Sequence, residues 1–161
     1  MSMANLESRV WQNPIYFLAF GFGSGLMPVA PGTWGTLAAI PVYLLIAGEA
    51  VWLYLLLTLL AFLLGVWVCD KVSKDLGVHD YSGIVWDEVV GFLLTMTAVP
   101  LSASWIIIGF LLFRLFDIWK PQPIRMIDQH VGGGLGIMLD DLLAAIPAWI
   151  MLQLLVWAFN S

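Results

Sequence analysis

Residues 50–69, AVWLYLLLTLLAFLLGVWVC, run for 20 positions without a charge. Wound into an α-helix at about 1.5 Å per residue, this stretch reaches about 30 Å, the thickness of a bilayer's hydrocarbon core. The rest of the chain agrees with a lipid setting. Of its 161 residues, 61% are hydrophobic and only 11% charged, with a mean hydropathy of +0.95. Soluble domains carry about 25% charged and 45–50% apolar residues. A soluble fold of this size cannot hide that much apolar surface, so lipid must cover part of it. The nine Trp and four Tyr suit aromatic belts at the two membrane interfaces. A net charge of −5 argues against nucleic acid, which needs a basic face. The single cysteine, Cys69, excludes an internal disulfide framework and a Cys-rich zinc site; it reads as a small core or lipid-facing residue. The first apolar stretch sits behind Glu7, Arg9 and Asn13 and leads into a Gly/Pro loop, so no cleavable signal peptide is expected.

Residues 142–159, LLAAIPAWIMLQLLVWAF, form a second full-length span; Pro147 inside it is tolerable where neighbouring helices satisfy the freed carbonyl. The uncharged region 89–113 is broken by PLSAS at 100–104, which predicts two helices, about 84–99 and 104–119. A shorter apolar helix is expected over about 34–48. The predicted fold is all-α: an integral membrane helical bundle of about 4–5 membrane-embedded helices, with re-entrant or interfacial polar loops, forming one domain over residues 1–161. Five spans put residues 1–33 and the loops 70–83 and 120–139 on one side. All six basic residues, Arg9, Lys71, Lys74, Arg114, Lys120 and Arg125, then fall on that side or at its interface. By the positive-inside rule it faces the cytoplasm. Ten of the eleven acids, all but Glu49, gather there too. Carboxylates have little influence on topology, so this excess points to a site.

Three polar segments converge on that face. In GFGSGLMPVAPGTWGT, residues 21–36, the glycines allow close backbone approach to a ligand and successive N–H groups can cradle a phosphate. Gly23, Ser24, Gly32 and Thr33 are the expected contacts. Thr33 and Thr36 are candidate caps of the next helix, whose N-terminal end favours an anion. No Lys follows, so this is not a Walker A loop. In HDYSGIVWDEVVG, residues 79–91, Asp87 and Glu88 stand at the mouth of an apolar helix. Matching the helix dipole is the plain explanation, but ionisable pairs beside a bilayer are costly and usually functional. His79 reads as a loop residue. The third segment is FRLFDIWKPQPIRMIDQHVGGGLGIMLDD, residues 113–141. There Arg114, Asp117 and Lys120 share one helix face by their three-residue spacing. Pro121 ends that helix, and Asp140-Asp141 opens the last span after the flexible GGGLG at 132–136.

These pieces suit one chemistry. Asp87, Glu88, Asp140 and Asp141 offer hard oxygen ligands of the kind Mg²⁺ takes together with substrate phosphate oxygens. Arg114 and Lys120 supply positive charge for phosphoryl oxygens. Phosphoryl transfer asks for little beyond such positioning and neutralisation, with a metal-activated water as nucleophile. Asp87, Glu88, Arg114, Asp117 and Lys120 are therefore the candidate catalytic residues. The chain has no Cys followed by a Gly-rich loop and Arg, and no Asp-x-Asp pair for an aspartyl-phosphate. Nor do His79 and His130 fall into the spaced His/Arg pattern of a histidine-dependent lipid phosphatase. The alternative from another class is a small ion- or proton-coupled transporter, which would spread its acids across the bilayer depth.

The blocks GFGSGLMPVAPGTWGTLAAIP at 21–41, GVHDYSGIVWDEVVG at 77–91, and FRLFDIWKPQPIRMID with GGGLGIMLDDLLA within 113–144 resemble the phosphatidylglycerophosphatase A family. The resemblance covers about residues 12–150. It implies an all-helical protein of the bacterial inner membrane that hydrolyses phosphatidylglycerol phosphate to phosphatidylglycerol and inorganic phosphate with Mg²⁺. The family's acidic motif positions match Asp87, Glu88, Asp140 and Asp141, and its basic ones Arg114 and Lys120.

Overall fold

The computed structural model describes residues 3–78, 81–119 and 131–160. Among them the chain is all-helical: α1 (Met3–Gln12), α2 (Pro14–Ala19), a 3-10 turn (Ser24–Leu26), α3 (Pro31–Ile46), α4 (Val51–Leu76), α5 (Trp86–Thr95), α6 (Ala103–Trp119) and α7 (Gly133–Asn160). Local chemistry sets several of these ends. The Asn13 side chain accepts the Ile15 N–H at 2.9 Å and starts α2, with Pro14 in the first helical position. Gly77, in the left-handed region at φ +67°, ends α4.

α3 to α7 alternate in direction. The starts of α3, α5 and α7 and the ends of α4 and α6 share one end of the bundle. At the far end Ala47, Val51, Met96 and Val99 come together, and Trp105 meets Phe159 edge-on. α5 is the central element, packed against α3, α4, α6 and α7, and Val89, Val90, Phe92 and Leu93 are all buried. At its C-terminal end the N–H groups of Met96 and Thr97 meet the Phe92 and Leu94 carbonyls, and other helices serve Leu93 and Thr97. The Tyr54 hydroxyl donates to Leu93 O at 2.5 Å. Trp149 Nε1 and Gln153 Nε2 donate to Thr97 O at 3.0 and 2.8 Å. In an apolar surrounding each such group would cost several kcal/mol if left unmet. Small residues bring the helices close: a Cβ at Gly65 would sit 2.6 Å from Met138 and 2.7 Å from Trp86.

α4 and α7, of 26 and 28 residues, are long and apolar enough to cross a bilayer. They expose rows of large apolar side chains, among them Leu56, Leu59, Leu60, Leu63, Ile150 and Leu154, and the chain is membrane-associated on that account. Exposed Trp52 and Trp157 lie toward the far end, and Trp34, Trp67 and Trp119 toward the other, as two interfacial belts require. α7 runs through Pro147 unbroken. Cys69 is a buried core residue 3.9 Å from the Met138 sulfur.

Several boundaries differ from the sequence reading. The segment expected as a span over 84–99 forms a helix of ten residues only, about 15 Å long, so α5 by itself reaches half-way across. α4 continues through Asp70, Lys71, Lys74 and Asp75, positions assigned to a loop. These charges lie in its last two turns, where Lys74 pairs with Asp70 at 2.6 Å. α3 starts at Pro31, so Thr33 and Thr36 do not cap it; Thr36 instead donates to Gly32 O at 2.9 Å within the helix. The largest shift is in α7. Its start lies at Gly133, and Asp140 and Asp141 sit two turns inside it. The glycines do not form a loop because Gly134 packs on the Val66 carbonyl and gives its N–H to Asp70 Oδ1 at 3.3 Å. A carboxylate from α4 thereby does the work of an N-cap for α7.

Candidate active site

A cavity of about 320 Å³ opens at the end of the bundle where α3, α5, α6 and α7 meet. α5 contributes Asp87 and Glu88 from its first turn, α6 contributes Arg114 and Asp117 one turn apart, and α7 contributes Asp140 and Asp141. Gly32 closes the wall from the first turn of α3, and Ser82 and Ile84 precede α5. Asp87, Asp117, Asp140 and Asp141 are all less than a tenth exposed, and the side chains of Glu88 and Arg114 are 13% and 14% exposed. Five carboxylates and one guanidinium therefore share one largely buried space.

The fold crowds them by sparing side-chain volume around them. A Cβ on Gly32 would collide with Glu88 Oε1, and one on Gly91 would come within 2.6 Å of the Phe113 ring and 3.2 Å of the Asp141 carbonyl. These two glycines let α3 press on Glu88 and let α5 lie directly against α6 and α7. Arg114 Nη1 stands 2.5 Å from Asp117 Oδ2 and 3.8 Å from Glu88 Oε1. These are ionic contacts rather than aligned hydrogen bonds: Nε and Nη1 of Arg114 lack a hydrogen-bond partner among the described residues, so the guanidinium keeps donors to offer. Asp87 Oδ1, Glu88 Oε2 and Asp141 Oδ2 are likewise buried with no hydrogen-bond partner among the described residues. Donor oxygens of Asp87, Glu88 and Asp141 lie within 4.8 Å of one another, a spacing a single cation can satisfy. Buried carboxylates repel and resist ionisation unless positive charge is set among them. Oxygen donors of this kind are the ligands hard divalent cations take.

Two carboxylate pairs far apart in sequence, a basic residue and a glycine at a helix start thus meet in one cavity. The sequence of this chain also matches the family model for phosphatidylglycerophosphatase A over residues 17–156. The chain belongs to the phosphatidylglycerophosphatase A family. It is 52% identical over 141 residues to phosphatidylglycerophosphatase A of Haemophilus influenzae, covering 86% of each chain. It is 48% identical over 135 residues to that of Escherichia coli, covering 83% of this chain and 78% of the other. A Bacteroides thetaiotaomicron protein provisionally named phosphatidylinositol-3-phosphatase is 39% identical over 148 residues, covering 87% of this chain and 92% of its own. No solved structure matches. Like its relatives in the phosphatidylglycerophosphatase A family, the chain is a phosphatase of phosphatidylglycerol synthesis.

Of the residues picked out in the sequence of this phosphatase, Asp87, Glu88, Arg114, Asp117, Asp140, Asp141 and Gly32 line the cavity. Gly23, Ser24 and Thr33 do not. Gly23, at φ +89°, lies against the Trp11 ring, and Ser24 gives its hydroxyl to Gly21 O at 2.7 Å. Gly21, Gly25 and Gly35 lie against Gly83 and Val85, just before α5, so much of the glycine-rich segment serves packing. Lys120, His79 and His130 lie outside the described residues. Sequence reasoning missed Ser82, Ile118 and Ile137 as wall residues. Ile137 was findable in principle, since it precedes Asp140 and Asp141 by three and four positions and so shares their helix face. A transporter's acids would be spread in depth; here five lie at one end of the bundle.

Proposed function

We propose that this cavity hydrolyses phosphatidylglycerol phosphate to phosphatidylglycerol and inorganic phosphate with the help of Mg²⁺. The observation that carries the reading is the set of buried carboxylate oxygens without partners around one guanidinium with donors to spare. Asp87, Glu88, Asp140 and Asp141 would hold Mg²⁺. When bound, the ion supplies charge to the phosphoryl oxygens and lowers the pKa of a water.

The chain's own residues do the rest. Arg114 binds phosphoryl oxygens through guanidinium N–H groups that make no aligned hydrogen bond among the described residues, and Asp117, one turn on, fixes the guanidinium by its ion pair with Nη1. Gly32, bare of side chain at the start of α3, turns the positive end of that helix toward the anion. Lys120 joins Arg114 at the phosphate, as its family motif implies. A water oxygen attacks phosphorus, the P–O bond to the lipid glycerol breaks, and the glycerol oxygen leaves with a proton. The Asp87–Glu88 pair receives the proton lost by the attacking water and returns it to the leaving glycerol oxygen. Stabilisation of the phosphoryl charge by one fixed donor is worth about 3–4 kcal/mol in comparable sites.

The whole chain, residues 1–161, acts as one membrane-embedded phosphatase domain, with four or five helices in the bacterial inner membrane and the cavity facing the cytoplasm. Arg9, Lys71, Lys74 and Arg114 at the cavity end support that orientation. Phosphate release by the purified chain, with phosphatidylglycerol phosphate and with phosphatidylinositol 3-phosphate, tests substrate and metal together. Rapid release from the first substrate, abolished by chelator and restored by Mg²⁺, is the expected result. Full turnover in excess chelator would sink the metal, and preference for the inositol lipid would sink the substrate.

A further inference from the structure

We infer that the cavity is built for two divalent cations rather than one, bridged by Asp141 and with Asp117 among the ligands. The inference rests on the metal-dependent reading above and deepens it. Two groups of donor oxygens stand close enough to hold an ion, those of Asp87, Glu88 and Asp141 and those of Asp117, Asp140 and Asp141, each within 4.8 Å of one another. One group joins α5 to α7 and the other joins α6 to α7. Asp141 is the residue common to both, and a carboxylate has two oxygens with which to face two sites.

Spacing of acids alone does not make a site, but Asp141 adds an independent sign. It is 3% exposed, lines the cavity, and its Oδ2 has no hydrogen-bond partner among the described residues. A carboxylate oxygen buried in that state requires a cation or a proton. Asp87 Oδ1, in the first group, is in the same condition at 8% exposure.

Charge leads to the same count. Among the described residues the cavity wall carries five carboxylates and one guanidinium, a net charge of −4. One divalent ion leaves −2, to which a phosphate monoester adds up to −2 more. Two ions bring the empty cavity, Arg114 included, to neutrality and leave only the charge that the substrate brings. The ion pair of Asp117 with Arg114 uses Oδ2 and leaves the other oxygen of that carboxylate. Paired ions about 3.5–4 Å apart, joined by a shared carboxylate, recur where an attacking and a leaving oxygen at phosphorus must both be stabilised.

The test needs no turnover. The full-length chain, purified in detergent, is equilibrated with Mn²⁺, which accepts the same oxygen ligands. Bound metal per chain is measured by elemental analysis, and the spin state by electron paramagnetic resonance. Two Mn²⁺ per chain with an exchange-coupled spectrum is the expected result. Asp117→Asn should lower the count to one and return the uncoupled six-line signal, and Asp141→Asn should abolish the coupling. One Mn²⁺ per wild-type chain overturns the pair, whatever the variants do. An Asp117→Asn protein that still binds two removes Asp117 as a ligand and overturns the proposal as stated. No Mn²⁺ at all in the wild type overturns the metal-dependent reading itself, so the two failures are distinct.

Discussion

The two ends of the bundle are made by the same helices and bury different kinds of polar group. At the far end the polar side chains close gaps in the backbone's own hydrogen bonding: Tyr54 serves Leu93, and Trp149 and Gln153 serve Thr97. The cavity there is about 70 Å³, lined by Tyr43, Tyr54 and Met96 among others, with Glu49 at its rim. At the other end the cavity is about 320 Å³, and buried oxygens of Asp87, Glu88 and Asp141 are left without hydrogen-bond partners among the described residues. The Tyr43 hydroxyl and Thr97 Oγ1 at the far end also lack hydrogen-bond partners among the described residues, but these are neutral groups, and an unmet carboxylate oxygen costs far more to bury. The far end thus braces the bundle with neutral polar groups, and the cavity end gathers buried charge.

The sharpest way to break this contrast is to neutralise a carboxylate at the cavity end. Asp87→Asn keeps the shape and removes the charge, so phosphate release should fall by roughly 10³-fold while thermal unfolding in detergent is unchanged or moves upward. A variant with near-normal turnover and normal folding would reduce the acid to a helix-dipole partner. Arg114→Lys comes next. A point charge cannot reproduce the guanidinium fork, and the rate should drop by about 10²-fold. Added Mg²⁺ should not restore it, whereas added Mg²⁺ should partly restore the milder carboxylate variants. Rescue of Arg114→Lys by metal would move Arg114 from the substrate to the support of the carboxylates.

Far-end substitutions should behave the other way round. Tyr54→Phe leaves the Leu93 carbonyl unserved and should cost about 1–2 kcal/mol of stability, visible as a lower unfolding temperature, with the turnover of the folded protein unchanged. A change in turnover at constant stability would show that the two ends are coupled. Smallest of all is Glu49→Gln. Glu49 is exposed in the turn between α3 and α4, and stability and activity should stay within about 0.5 kcal/mol of wild type. A large loss would mean that the far end takes part in function.

Fold class and much of the site were legible in the sequence, each for its own reason. Helical spans follow from unbroken apolar length, because an unpaired backbone in lipid is so costly that a long uncharged run has few other outcomes. The run at 50–69 is thus the core of α4. The acids stood out because charge beside a bilayer is rare. Asp87, Glu88, Asp140 and Asp141 were identified that way, and all four reach the cavity.

Whatever depends on partners distant in the chain was decided only by the tertiary structure. Glycines 132–136 read as a loop because glycine is a weak helix former. α7 nevertheless begins among them, since the backbone of α4 lies close enough to need bare residues and Asp70 supplies the missing cap. In the glycine-rich segment 21–36, Gly23, Ser24, Gly32 and Thr33 read as phosphate contacts, yet of these four only Gly32 lines the cavity; Gly23 lies against Trp11 and Ser24 bonds the Gly21 carbonyl. Asp117 read as a candidate catalytic residue on the stripe with Arg114 and Lys120, and its place beside Asp140 and Asp141 exists only where α6 meets α7. A single chain determines which groups are too costly to bury alone; which of them are buried together is fixed by helix packing, where the steric fit of glycines such as Gly32 and Gly91 sets the distances between charges.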